Sequence, residues 1–473
     1  MNKRGMKLTA IAASIVVLAG CASVTPQGVL ENVSARVGAQ VPAQLTLASN
    51  EAELKKAQSR VETLLSQELS QAGAVELAMN NSPAFQAMLA RGIANTANAA
   101  QSGRISNPNF AFERMTTTGE LELARMLSFG LLDLLTLPKR QAIAKVAVDQ
   151  AQLDLAQQVV KDISSVKLAW VGAIAAEQRL AYAQQVQRSA NASAELAKRL
   201  LAVGNFSWLQ QTKQQQFASD AAIALASAQH ARTSAYEELV RVLGLTTQQQ
   251  AELQLPKRLP AIPKNILLPA QINTAAGDIR LDIGLAKLNL QQFLDSSSLE
   301  TLNSFTDVEL GVKGVDKKDT ASGEVTSSNG FEIAIKLPIF DWGDNKRVAL
   351  SANQIAAQRT WEATVINANS QLRVSYSAYR TAHDLAMHYQ DVVLPMRARI
   401  SEENQYRYNG MLISVFDLLS DARGQIDTVT QALNATEQFW ITDATLQNNL
   451  MGVPSQAAAM ATAAPANDAA GGH

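Results

Sequence analysis

The segment from Trp342 to Met451 opens on Trp342-Gly343-Asp344 and then carries a helical pattern over residues 344–408, interrupted by Pro395. At helical rise such an arm would run roughly 95 Å. Helices of globular cores usually cover about 8–20 residues, so no ordinary core buries this one. The pattern breaks at Tyr408-Asn409-Gly410-Met411-Leu412-Ile413-Ser414 and returns over 414–450. A second arm covers 139–203, breaks at Gly204-Asn205-Phe206-Ser207 and returns over 208–243. The chain must therefore be organised around two long helical hairpins.

The period changes just before each arm. Phe110 and Phe112 alternate with polar neighbours, and Leu121, Leu123, Leu127 and Phe129 do so after a Thr-Thr-Thr-Gly turn. Period-2 alternation is the mark of a strand, here over about 107–115 and 120–129. The later pair is expected over 305–313 and 330–339, with a polar loop Gly314–Asn329 between them and Pro338 at the end, where a missing donor is tolerated. Lys139-Arg140 falls on Lys346-Arg347 and Gly204 close to Gly410, at an offset near 206 or 207 residues. Such agreement reads as an internal duplication. The first repeat spans 51–254 and the second 271–454, joined by a linker at 255–270 rich in proline. The tail, 455–473, is Ala-rich without periodicity.

Composition excludes more than it assigns. The chain has 41 basic and 42 acidic residues, so no net field draws it to nucleic acid or an anionic membrane face. No phosphate loop, His-Glu-x-x-His motif or Cys pair appears, and His230, His383, His388 and His473 lack ligand spacing. No enzyme, metal or cofactor is expected. Ala142, Ala144, Ala147 and Ala151 suit close helix packing.

Residues 1–20 read as a secretory signal: Lys3, Arg4 and Lys7 precede an apolar run too short to span a bilayer. The run ends at Leu18-Ala19-Gly20-Cys21, and Cys21 is the sole cysteine. This tetrapeptide resembles a bacterial lipobox, which implies cleavage before Cys21 and acylation there. Several acyl chains anchor stably where one does not. Ala22 in place of Asp implies sorting to the outer membrane. Residues 21–50 are then lipid anchor and tether.

Four strands cannot close a membrane barrel, because the smallest have about eight. An open sheet in lipid would leave unpaired backbone groups, each costing several kcal/mol. If these strands lie in a membrane, copies must share the barrel: two would give eight strands, three would give twelve. The alternative is a soluble β-meander on a helical protein.

Val393-Leu394-Pro395, then Tyr408-Asn409-Gly410, then Val415-Phe416-Asp417-Leu418-Leu419 resemble the recurring pattern of the outer-membrane efflux protein family, the TolC-type channels. Asn81-Ser82-Pro83, Asn107-Pro108, Gly204-Asn205-Phe206-Ser207 and the run Leu337 to Gly343 add to the resemblance. It implies a mainly α protein with membrane β: a homotrimer whose twelve-stranded barrel continues into a periplasmic α-helical barrel. It also implies passive conduction from a periplasmic adaptor and inner-membrane pump, in efflux or type I secretion. Gly204, Asn205, Ser207, Gly410, Met411, Leu412 and Ser414 are then the adaptor-contact tips. The two glycines stand where a helix stop calls for positive φ. Asp417 and Asp421 are candidate periplasmic gate acids, with a solvated helix face as the plain alternative. Phe331, Phe340 and Trp342 bracket the fourth strand as candidates for the membrane interface. Lys139, Arg140, Lys346 and Arg347 would mark the periplasmic rim. The competing class is a non-channel α-hairpin scaffold lipoprotein at the outer membrane.

Overall fold

The computed structural model describes residues 24–38, 41–266, 280–303, 308–335, 340 and 342–453. The signal segment, Cys21, residues 267–270 of the expected linker, 305–307, 336–339 and the tail 455–473 lie outside the described residues.

Four helices come first: α1 (Pro26–Val37), α2 (Glu51–Leu65), α3 (Gln71–Asn81) and α4 (Pro83–Gln101). Strands β1 (Asn109–Thr117) and β2 (Glu120–Gly130) lead into α5 (Leu131–Ala202), α6 (Trp208–Leu243) and short α7 (Thr247–Glu252). Then follow α8 (Leu281–Asn303), β3 (Val308–Asp319), β4 (Val325–Ile335) and α9 (Asp344–His388). A π-helical turn (Tyr389–Val393) precedes α10 (Leu394–Asn409), and α11 (Val415–Leu450) closes the series.

These elements fall into two compact units. The first lies within Met1–Val33, Arg91–Asp154 and Ile283–Val365, and holds all four strands. They form one antiparallel sheet in the order β1-β2-β3-β4. Gly103 lets α4 approach α5, since a Cβ there would stand 2.7 Å from that of Ala144. Arg140 donates to the carbonyls of Ser102 and Arg104 and pairs with Asp133 at 3.1 Å.

The second unit lies within Ser34–Ala90, Leu155–Asp282 and Ile366–His473. Phe439 is fully buried against Tyr379, Leu372, Ala386 and Leu446. The Pro-rich stretch after α7 is docked on this cluster: His383 Nε2 donates to the Pro263 carbonyl at 2.9 Å and Trp440 Nε1 to that of Pro260 at 3.2 Å. Buried Trp170 donates its indole N–H to the Leu69 carbonyl at 2.9 Å. Gly244, at φ +67, ends α6 where a Cβ would meet Ser82 Cα at 2.7 Å.

Several sequence expectations are corrected. Part of the tether is helical: Thr25 Oγ1 accepts from the Gly28 N–H, Pro26 starts α1, and Val29 and Val33 are buried. A Thr cap followed by Pro at the first helical position favours a start there. The long helix begins at Leu131, so Pro138 lies inside it. The expected polar loop 314–329 is mostly strand, paired within the β3·β4 ladder; Ser327 Oγ donates to Asp316 at 2.6 Å across it, and Lys317 pairs with Glu122 of β2 at 3.2 Å. Only a tight turn remains, with Asp319 Oδ1 accepting from the N–H groups of Ala321 and Ser322. The interruption of the second arm expected at Pro395 is present. Proline lacks an N–H and crowds the carbonyl four residues back, and a π-helical turn absorbs this just ahead of Pro395, with Leu394 N–H donating to the Tyr389 carbonyl.

Candidate functional site

The register sorts the strand residues into two faces. Phe110, Leu127, Val312 and Phe331 stand in one cross-strand row. All four are exposed, Phe331 to 78%. The rows toward the helical end add Phe129, Leu310, Ile333, Val308 and Ile335 to the same face. The other face carries Glu113, Glu122, Glu309 and Glu332 with Lys313 and Lys317, among Ala and Gly. One side is thus suited to hydrocarbon and the other to water. Both outer strands, β1 and β4, have a second edge that pairs with no strand among the described residues.

Phe331 sits inside β4 opposite Val312 rather than at its end, because the strand starts at Val325. Phe340 and Trp342 follow the strand and are both exposed. Arg347 donates to the Trp342 carbonyl at 2.8 Å and pairs with Asp344, at the start of α9.

In the second unit the two helical turns share one design. Ser207 caps α6 with Gln210 closing a reciprocal capping box, and Ser414 caps α11 with Asp417 in the same role. Each box satisfies two of the amide donors that a helix start leaves open. The offset is 207 throughout (414 minus 207, 417 minus 210), and it equates Gly204 with Met411. These two residues carry the positive φ, +79 and +60. Gly410 is at φ −82, so the expectation of a left-handed glycine there is corrected. The left-handed position falls one residue later, where Met411 N–H reaches the Tyr408 carbonyl and Leu412 N–H that of Arg407.

Phe206 and Phe416 stack with centroids 4.5 Å apart and join the two turns. Around them Met411 (93% exposed), Leu412, Val203, Trp208 and Leu209 present apolar side chains outward. The last three were not singled out from sequence. The available signal was a cluster of apolar residues beside a helix break.

Asp417 and Asp421 have different surroundings. Asp417 is exposed and accepts from Ser414, which holds its carboxyl below the usual range. Asp421 is buried on α11 and pairs with Arg397 of α10 at 3.1 Å; Arg397 also donates to the Asp421 carbonyl at 2.6 Å. Asp421 Oδ2 and Arg397 Nε are buried without a hydrogen-bond partner among the described residues. Next to this pair Arg423 donates to Gln214 at 3.0 Å and lies over the Phe217 ring, tying α11 to α6.

A second buried charge site lies between α5 and α11. Lys167 donates to Gln447 at 3.0 Å and Gln447 to Asp443 at 2.8 Å. Burial pushes the Asp443 carboxyl up to about 6, against the opposing pull of Lys167. A folded-state pKa above the unfolded one means that the contribution to stability is present below the unfolded value and lost as pH rises through about 6. Wild type should therefore lose on the order of 3 kcal/mol from this group between roughly pH 4 and 6. Chemical denaturation across that range checks it. Asp443→Asn should reduce the slope, and an unchanged slope would contradict the assignment.

Among the described residues no cluster of His, Cys, Asp or Glu could hold a metal ion, and no helix is long and apolar enough to cross a membrane.

No family model matches the sequence and no curated protein matches it. Solved structures do. The outer membrane protein VceC of Vibrio cholerae is 14% identical, with a TM-score of 0.66 over 84% of this chain and 98% of that one. The open state of the Neisseria gonorrhoeae MtrE outer membrane channel is 18% identical, with a TM-score of 0.62 over 80% of this chain and 89% of that one. The Campylobacter jejuni CmeC outer membrane channel is 15% identical, with a TM-score of 0.61 over 92% of this chain and 89% of that one. With its four-stranded sheet, its paired helical turns and its duplicated return helices, the chain has the fold of the TolC-type outer-membrane channels.

Proposed function

We propose that this chain is one protomer of an outer-membrane efflux channel. Three copies lend four strands each to a twelve-stranded barrel, and the helices form a periplasmic duct. Acyl chains on Cys21 add an anchor in the outer membrane, and no cofactor takes part. The observation that carries the reading is the sheet with one exposed apolar face and two outer edges that pair with no strand among the described residues. Hydrocarbon tolerates that face, but not open backbone edges, and pairing β1 of one copy with β4 of the next removes every edge.

The duct is passive, so its selectivity is set by bore and charge, and energy comes from an inner-membrane pump. On the face turned to the bore, acids outnumber bases, which favours cations. The apolar, outward-facing turns at Gly204, Asn205, Ser207, Gly410, Met411, Leu412 and Ser414 are the surface for a periplasmic adaptor. Planar-bilayer recording with purified protein tests the reading: discrete, cation-preferring conductance is expected, whereas a scaffold lipoprotein would conduct nothing.

The Arg397–Asp421 pair is the candidate latch of the periplasmic gate, with Asp417 capping the helix beside it. Breaking a buried pair by removing one partner costs about 3–5 kcal/mol, and here that cost falls on the latched arrangement. Arg397→Ala should raise the open fraction of single channels well beyond tenfold. Unchanged gating in Arg397→Ala and Asp421→Asn would contradict the latch.

A further inference from the structure

The apolar face of the sheet is not apolar throughout. Toward the hairpin turns its rows change character: Arg125 stands opposite Phe112, Arg114 opposite Leu123, and Lys318 opposite Leu121. All three bases point to the side that carries Phe110, Leu127, Val312 and Phe331, because residues paired across a ladder share a face. The acid on this face within the strands is Asp316, paired with Leu123 in the register. It is already committed, to Arg125 at 3.0 Å and to Ser327 Oγ at 2.6 Å. Arg114 and Lys318 are exposed, and their side chains have no hydrogen-bond or ion-pair partner among the described residues.

Charge at this position constrains the depth of the sheet. On the lipid face of a barrel an Arg or Lys costs about 2–4 kcal/mol at the bilayer midplane and close to nothing at the interface. The rows from Val308 and Ile335 up to Phe110 and Phe331 can sit in hydrocarbon, and the rows with Arg114, Arg125 and Lys318 follow toward the hairpin turns, where long basic side chains can snorkel to headgroup level at the end away from the helices. The groups available there to a cluster with excess positive charge are lipid phosphates, which Arg engages with two parallel hydrogen bonds.

We propose that Arg114, Arg125 and Lys318 form an outward-facing site for the phosphate groups of lipid headgroups in the outer leaflet, with Asp316 holding Arg125 in place. This inference rests on the barrel reading above. The partner is a phosphate-bearing membrane lipid rather than free phosphate, since the apolar rows beneath the cluster receive its acyl chains.

The test uses the full-length protein in nanodiscs of phosphatidylcholine alone, whose phosphate is neutralised by its own choline, or with diphosphorylated lipid A, whose phosphates carry net negative charge. Wild type should melt at a higher temperature in the discs containing lipid A, and inorganic phosphate added to phosphatidylcholine discs should not reproduce the shift. The variant Arg114→Gln/Lys318→Gln leaves the Arg125–Asp316 pair intact and guards against misfolding. It should retain lipid A more weakly by about fivefold for each base removed, the factor one Lys or Arg carries near an anionic lipid surface. Adding Arg125→Gln should remove the thermal shift altogether. Equal lipid A retention by wild type and the double variant, or an equal shift from free phosphate, would overturn the site while leaving insertion and conductance intact. Failure of wild type to insert into either disc would overturn the barrel reading and the site with it.

Discussion

Replacing Phe439 with alanine is expected to cost about 3–5 kcal/mol, the range for deleting a fully buried aromatic ring. Phe439 has no exposed surface and sits between Tyr379 and His383, both 5.7 Å away between centroids, and Trp440 at 5.2 Å. Two of these neighbours also hold the Pro-rich stretch, through His383 to Pro263 and Trp440 to Pro260. The cavity therefore loosens more than one helix contact, and the surrounding groups cannot collapse without giving up those hydrogen bonds. Urea unfolding followed by circular dichroism should show a large drop in midpoint. A loss below about 1 kcal/mol, the size of an ordinary surface-to-boundary substitution, would mean that this cluster is not the core of the second unit.

Arg280→Met should be of similar size, for an electrostatic reason. The guanidinium is almost wholly buried, makes a two-pronged contact with Asp282 at 2.6 and 3.0 Å, and donates to the Asn449 carbonyl at 2.8 Å and more weakly to that of Ala368. It thus ties the start of α8 to the end of α11 and to α9. Removing it breaks the two-pronged pair with Asp282 and takes a donor from the Asn449 carbonyl, and breaking a buried pair in this way costs about 3–5 kcal/mol. Arg280→Met combined with Asp282→Asn should recover part of the loss, because the carboxylate that Arg280 paired with is then neutral. A double-mutant cycle measures this directly, and full additivity would contradict the coupling.

The long hairpins were legible from sustained helical periodicity and from the breaks at Gly204 and Gly410. The reciprocal capping boxes Ser207–Gln210 and Ser414–Asp417 that start the return helices came with the structure. The strands were legible where Phe, Leu and Ile alternate with polar residues, and illegible from Gly314 to Asn329. There both faces of the strands are polar, so alternation gives no contrast and the segment looks like loop. The same polar rows hold the basic cluster, which is why it was not visible before the register was known. Assigning the helix stop to Gly410 followed residue type. The positive φ went instead to Met411, at the position set by the repeat, because the Ser414 cap fixes how many residues the turn can hold. The Arg397–Asp421 pair and the contacts of Arg280 with the Asn449 and Ala368 carbonyls depend on packing between separate helices, and no spacing rule announces them.

The mass of the particle extracted from membranes in mild detergent, read by native mass spectrometry, decides whether separate copies complete one cylinder. Three chains per particle are predicted, persisting until the strands unfold. A stable particle containing one chain, with β1 and β4 left as free edges, would contradict the shared barrel and the duct built on it.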